Sequence, residues 1–328
     1  MIITKTPYRI SFFGGGSDYP EWYLKNGGEV ISTSIDKYIY LSCRNLPPFF
    51  NHKHRIVWSK VELVKNVKEI KHKVVKNMLI HMRIKNGLEI HYDGDLPARS
   101  GIGSSSVFVV GLMNLLNSFQ GKKISKKNLA KKCIFFEQKI LNEVVGSQDQ
   151  IAASYGGFNK ITFKPGGGFC VNPISNKKTL EKLNKNLLLV YTGIKRTAHD
   201  IASSYIKNLQ KSKKTHILQI SSFVKESEKI LKKGDLDEFG KLLHESWIEK
   251  KSLSSLISNS YIDNIYKEGL QKGALGGKLL GAGGGGFFLF YVPFFRQKSF
   301  IKYFKKLVNV PFKFSSKGSE IIFNESDN

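Results

Sequence analysis

Four short stretches of the chain carry residue types that can do chemistry on a phosphate or a polyol. The first is Pro97-Ala98-Arg99-Ser100-Gly101-Ile102-Gly103-Ser104-Ser105-Ser106. Its glycines let the backbone turn tightly and approach a ligand closely. An apolar run to Phe119 follows, so the serines open a helix, whose free N–H groups and macrodipole favour an anion. Hydroxyls in that first turn can reach phosphate oxygens or a Mg²⁺ ion. The stretch lacks the GK[ST] of a Walker loop and the spacing of a dinucleotide fingerprint. Taken alone, such a stretch is more often a plain loop with a helix cap.

The second stretch, Gly146-Ser147-Gln148-Asp149-Gln150, follows a helix that carries Glu137. A lone Asp in a loop is ordinarily solvated or a cap. Two carboxylates near a phosphate loop can divide the work, one holding Mg²⁺ and the other taking or orienting a hydroxyl proton. Asp149 in the second role needs a neighbouring cation, and Arg9 is the candidate. The third stretch, Gly281 to Gly286, reads either as a tight β turn or as a surface that approaches phosphates or the first glycine loop. In the fourth, Arg9 to Tyr19, a strand runs into Gly14-Gly15-Gly16-Ser17-Asp18. Asp18 there can accept sugar hydroxyls or simply cap a turn.

The elements that must position these residues follow from patterning. Ile2 to Phe13 and Gly28 to Arg44 read as strands, rich in β-branched and aromatic residues. Residues 61–83 carry apolar positions at helical spacing. Leu88 to Tyr92 is a short strand leading into the glycine–serine loop and its helix, and a second helix fits Ser125 to Leu141 with Ser125 as N-cap. Gly156-Gly157 and Pro165 to Gly168 mark turns and a domain border. Beyond it come a buried strand, Leu187 to Tyr191, and helices near 197–211, 214–232, 235–256 and 259–272. Two strands around the 281–286 turn, a short helix and a last strand at about 310–323 complete the chain.

Composition sets bounds. The 328 residues suffice for two domains, and no uninterrupted apolar run is long enough to span a membrane. The N-terminus lacks the features of a secretion signal, so a cytoplasmic location is expected. Three distant cysteines show no metal-binding spacing and read as free thiols. A net charge of +26 raises the question of nucleic acid. Only seven of the 52 basic residues are arginine, however, and the lysines are scattered. Base-edge readers favour arginine and single-strand binders interleave aromatics with a basic groove. A solvated lysine surface that attracts anionic substrates is the expected reading, with no specific nucleic acid and no membrane partner.

The order and spacing of the four stretches, from Thr6 to Val292, resemble the GHMP kinases, named for galactokinase, homoserine kinase, mevalonate kinase and phosphomevalonate kinase. That resemblance implies an α+β fold of two domains, 1–175 and 176–328. The first would be similar to domain 2 of ribosomal protein S5, and the second ferredoxin-like with added helices, with the active site between them. Within the family, FFGGGSDYPEWY (12–23), STSIDKY (32–38), GSQDQIAASYGGFN (146–159), TGIKRTAHDIA (192–202), LHESWIEKKSLS (243–254) and GGKLLGAGGGGFFLF (276–290) look most like the sugar 1-kinases acting on D-glycero-D-manno-heptose 7-phosphate.

The resemblance implies ATP and Mg²⁺ as cofactors and a sugar or sugar phosphate as partner, in making activated heptose for surface polysaccharide. It leaves a homodimer open. It implies Asp149 and Arg9 as catalytic residues. Nucleotide contacts would come from Pro97, Gly101, Ile102, Gly103, Ser104, Ser105, Ser106, Gly283 and Gly284, and Mg²⁺ ligands from Ser105 and Glu137. Gly16, Ser17 and Asp18 would bind the sugar, with Arg196, Lys250 and Lys251, and also Lys195, as candidates for a distal phosphate. The chain departs from galactokinase in having Gly15-Gly16-Ser17-Asp18 where Glu-His-Thr-Asp is expected, which argues against galactose. Ile102 for Leu and Val107 near a common Ala are modest departures. A fucokinase-type 1-kinase, a non-catalytic sensor on the same fold and a basic nucleic-acid-binding protein are the other readings considered. A sensor would be expected to lack Asp149 or the serine loop, and both are present.

Overall fold

A computed structural model describes residues 1–195 and 198–325, with Ala198 and His199 described by their backbone alone. The strands are β1 Ile2–Phe13, β2 Gly28–Asn45, β3 His54–Val57, β4 Val61–Val64, β5 Leu88–Gly94, β6 Phe158–Phe163, β7 Phe169–Pro173, β8 Leu187–Tyr191, β9 Gly276–Leu279, β10 Phe287–Tyr291, β11 Val308–Val310, β12 Phe314–Ser315 and β13 Glu320–Asn324. The helices are α1 Pro20–Asn26, α2 Lys73–His81, α3 Ser104–Phe119, α4 Lys126–Phe135, α5 Gln148–Tyr155, α6 Lys177–Lys185, α7 Ala198–Ile206, α8 Lys214–Lys233, α9 Leu236–Lys251, α10 Ser260–Gln271 and α11 Gln297–Tyr303.

Among the described residues the strands form two sheets. In the larger, the order is β13-β1-β2-β5-β3-β4, with β12 and β6 also pairing with β2, and β7 with β6. The smaller is antiparallel, ordered β11-β8-β10-β9, and its chain order of strand, helices, two strands, helix, strand is the ferredoxin-like arrangement. The chain passes from one sheet to the other between β7 and β8, but β12 and β13 return to the first. We propose 1–175 and 176–328 as the two domains, with the tail of the second completing the sheet of the first.

The pattern explains most of this. Helix α3 buries its residues almost all round, as its continuous apolar run requires. A seam of rings ties β1 to the second lobe. Phe12 stacks on Phe158 (5.2 Å) and meets Phe239 of α9 edge-on, and Phe13 meets the same ring at 5.1 Å. Such pairs contribute about 0.5–1.5 kcal/mol each beyond their buried area.

Residues 61–83 differ from expectation. Val61 to Val64 pair antiparallel with β3, Val67–Glu69 make one 3-10 turn, and the α-helix is confined to Lys73–His81. The strand is inverted in polarity. Val61 and Leu63 are exposed, while Glu62 is buried and accepts from Trp58 Nε1 and the N–H groups of Lys71 and His72. The helix from 125 does start at Ser125, whose Oγ accepts from Asn128 N. It widens at Phe136–Ile140 into one π-type turn, closed by Leu141 N donating to Phe136 O. The 235–256 segment ends as α9 at Lys251 and resumes only as a short turn at Ser255–Ile257.

Candidate active site

The pairing of β1 with β2 shifts register twice, between Pro7 and Arg9 and between Ser11 and Phe13. Such bulges re-aim side chains, and Arg9 lies between these two, turned into a cleft between the lobes. Arg9 Nε donates to Asp149 Oδ1 at 2.7 Å and Nη2 to Oδ2 at 2.8 Å. The remaining arm, Nη1, donates to Gly101 O at 2.8 Å. This is a bidentate, charge-assisted pair, with geometry fixed by both planes. Asp149 sits in the first turn of α5, where the helix dipole favours a carboxylate. The arginine is nearly fully buried, while the carboxylate keeps 21% of its side-chain surface exposed, facing the cleft.

The cleft, about 330 Å³, is lined by Gly101, Gly103 and Ser104 to Ser106 on one side and Gly281, Gly283 and Gly285 on the other. The two glycine turns touch. A Cβ on Gly101, whose φ is +83°, would lie 2.4 Å from Leu280 O. Phe287 N also donates to Ser100 O, pinning one turn to the other.

Glu137 hangs from the π-type turn, 1% exposed. It accepts from Ser106 Oγ at 3.1 Å and from Gln150 Nε2 at 2.5 Å. Burial pushes its carboxyl up to about 8, partly offset by those two hydrogen bonds and reinforced by the charge of Asp149. The hydroxyl that meets Glu137 directly is that of Ser106. Ser105 is exposed at the cleft, because successive helical residues point about 100° apart. The donor set fits Mg²⁺, which takes one or two carboxylates beside phosphate oxygens and water. Glu137 is a buried carboxylate with no cationic partner among the described residues, and the hydroxyls of Ser105 and Ser106 line the adjoining wall.

At the other end Asp18 is 1% exposed and accepts from Gly16 N at 2.9 Å and Gln148 N at 3.4 Å. Burial first, then the nearby Asp149 charge, push its carboxyl up to about 6 against those bonds. Tyr19 and Tyr205 complete this end. Gly146 is required here, because a Cβ on it would lie 1.9 Å from Asp18 Oδ2. Gly146→Ala is therefore expected to displace Asp18 and raise the acceptor KM by about tenfold or more, with nucleotide affinity unchanged. Steady-state kinetics against isothermal titration with ADP checks the split.

Several expected contacts take other roles. Ser17 is a strut, its Oγ donating to Gly14 O and Glu29 O. Ile102 is fully buried in the core, and Pro97 accepts from Ser100 Oγ through its carbonyl, so neither lines the cleft. Gly284 packs under the turn, its N–H on Ile257 O, and Gly285 takes its place at the wall. Lys251 pairs with Asp263 at 3.1 Å, away from the cleft, and Lys195 is exposed and does not line it. Arg196 lies outside the described residues. Lys250 does line the cleft, but beside Gly281, on the side of the Arg9–Asp149 pair and not at a far end.

Sequence reasoning missed Lys278, Ser11, Gln150, Tyr205 and Ser246. Lys278 had a signal, a single lysine inside an otherwise apolar and glycine strand. Tyr205 had none, since an aromatic in a helix reads as core.

Comparison with known proteins bears on the family and the fold. Residues 62–157 match the GHMP kinases N terminal domain and residues 227–303 the GHMP kinases C terminal domain. The chain is 29% identical over 321 residues to the D-glycero-alpha-D-manno-heptose 7-phosphate kinase of Campylobacter jejuni subsp. jejuni serotype O:2, covering 93% of each. It is 27% identical to the bifunctional fucokinase/GDP-fucose pyrophosphorylase of Arabidopsis thaliana, over 86% of this chain but 29% of that one. Its fold superposes, with a TM-score of 0.80 over 99% of both chains and 22% identity, on the crystal structure of a D-glycero-D-manno-heptose 1-phosphate kinase from Bacteriodes thetaiotaomicron.

Proposed function

This chain belongs to the GHMP kinase family, and from that premise we propose that it transfers the γ-phosphoryl of ATP to the anomeric hydroxyl of a sugar, with D-glycero-D-manno-heptose 7-phosphate as acceptor. The observation that carries the mechanism is the bidentate Arg9–Asp149 pair, set between the serine-opened helix and the Asp18 loop. Phosphoryl transfer through a loose transition state demands mainly positioning and charge neutralisation.

The amides and hydroxyls at Gly103 to Ser106 would hold the β- and γ-phosphates against the 281–286 turn. Glu137, with the hydroxyls of Ser105 and Ser106, would hold Mg²⁺, which supplies charge neutralisation when bound. Asp18 would accept sugar hydroxyls and so place the acceptor oxygen at Asp149. Asp149 would orient that hydroxyl or take its proton, while Arg9 fixes the carboxylate in plane and balances its charge. A fucokinase-type acceptor is the second reading, supported by the similarity to the plant enzyme.

The test is ADP release from ATP·Mg²⁺ with D-glycero-D-manno-heptose 7-phosphate, sedoheptulose 7-phosphate, L-fucose, galactose and mannose. The aldoheptose phosphate is expected to give the highest kcat/KM by tenfold or more, about 1.4 kcal/mol of transition-state discrimination. A preference for a free sugar would keep the kinase and discard this acceptor.

A further inference from the structure

Two amines in the cleft have no part in the scheme above. Lys278, on β9, is 5% exposed and lines the cleft, its Nζ donating to Phe12 O at 2.6 Å. Lys250, in the last turn of α9, donates to Leu279 O at 2.7 Å and Gly281 O at 2.6 Å. Neither has a carboxylate partner among the described residues. Charged, as an anion beside it would make it, an ammonium carries three donors, so these carbonyls would leave two for that anion on Lys278 and one on Lys250. A buried ammonium without a counter-charge is costly, and proteins seldom keep one without use.

The two amines and Arg9 converge. Lys250 grips Gly281 O and Arg9 grips Gly101 O, and a Cβ on Gly281 would lie 2.5 Å from Gly101 Cα, so these carbonyls belong to touching turns. Lys278 reaches across the lobes to the strand residue three beyond Arg9. The carboxylates lining the same cleft are Asp18, Asp149 and Glu143; Asp149 is already matched by Arg9 and Glu143 by Lys73.

We propose that Lys250 and Lys278, beside Arg9, form a seat for a phosphoryl group, gripping its oxygens where the Gly281–Gly286 turn meets the acceptor end of the cleft. The seat stands on these contacts. Only the identity of its occupant rests on the kinase reading, as the phosphoryl in transfer or the phosphate the acceptor already carries. The electrostatics agree. Burial, with Arg9 adding to it, lowers Lys278 to about 7, and burial with the charges of Lys278 and Arg9 holds Lys250 well below the ordinary lysine range. An arriving phosphoryl dianion supplies the counter-charge that this wall lacks.

The experiment is titration with sodium phosphate at constant ionic strength, on the full chain without nucleotide, followed by thermal melting and calorimetry. Wild type is expected to gain stability with phosphate beyond a chloride control, because a ligand that binds only the folded form raises Tm. Lys278→Met and Lys250→Met, each close in volume to the original, are expected to weaken phosphate binding by about tenfold or more. No phosphate-specific gain in wild type overturns the seat, whatever the variants do. So does unchanged phosphate affinity in variants that melt within a few degrees of wild type, which would leave Lys278 as a strut between the lobes. Kinetics then separate the occupants. Loss of kcat with phosphorylated and unphosphorylated sugars alike assigns the seat to the transferred phosphoryl. A raised KM confined to the phosphorylated sugar assigns it to the acceptor's own phosphate. Phosphate binding that depends on Lys278, without turnover of any sugar, would leave the seat standing and remove the kinase reading.

Discussion

Asp149→Asn is expected to lower kcat by about 10²–10⁴, the range for losing a positioned general base. ADP and ATP affinity should stay within about twofold. The amide keeps the shape and one hydrogen bond to Arg9, so the wall at Gly103 to Ser106, proposed to hold the nucleotide, is untouched. What disappears is the negative charge and one carboxylate oxygen, and with it half of a bidentate pair. The split is diagnostic, because an effect confined to the transition state lowers kcat and kcat/KM together and leaves binding alone. Calorimetry with ADP·Mg²⁺ beside steady-state kinetics measures it. Equal loss of turnover and nucleotide affinity would show Asp149 to be a structural support of the phosphate loop.

Glu137→Gln is expected to cost a few kcal/mol of transition-state stabilisation, about 10²-fold or more in turnover, and to abolish the Mg²⁺ dependence of nucleotide binding. The pH behaviour gives a readout free of activity. The folded, ligand-free protein holds the Glu137 proton up to about pH 8, while the ordinary value is 4.5. Between those two values the native state binds more protons than the unfolded state. Stability from this group is therefore fully present below about 4.5 and falls as pH rises to about 8. Glu137→Gln should remove that fall, seen as a flatter curve of Tm against pH. In wild type, the apparent Mg²⁺ affinity should rise over the same window, as protons cease to compete for the carboxylate. A Tm profile unchanged by the substitution would contradict the buried, proton-holding role.

The sequence made the chemistry legible and the local geometry less so. Arg9, Asp18, Glu137 and Asp149 stood out through the order and spacing of their stretches and the resemblance these carry, since each alone reads as well as a cap or a turn; the structure brings Arg9, Asp18 and Asp149 to one cleft and holds Glu137 against Ser106 at its wall. Ser104, Ser105 and Ser106 could not be told apart. Which hydroxyl meets Glu137 depends on helical phase, and the π-type turn at 136–140 sets the phase of its partner. Val61 to Val64 misled because the strand is inside out, with its apolar residues exposed and Glu62 held inside by main-chain donors. The return of β12 and β13 to the first sheet was not legible either, since a strand's partner is chosen by tertiary packing and not by its own pattern. Lys278 was overlooked because a lysine counts as surface by default in a chain so rich in them. Its burial is visible only once both lobes are in place.

The central claim is phosphoryl transfer to an anomeric oxygen. It is tested most directly by incubating the wild-type chain with ATP·Mg²⁺ and D-glycero-D-manno-heptose 7-phosphate, then locating the new phosphate by phosphorus NMR with proton coupling. One new ester at C1, formed in step with one ADP, is the predicted result. Inorganic phosphate as the sole new product, or an ester on any other carbon, would contradict it.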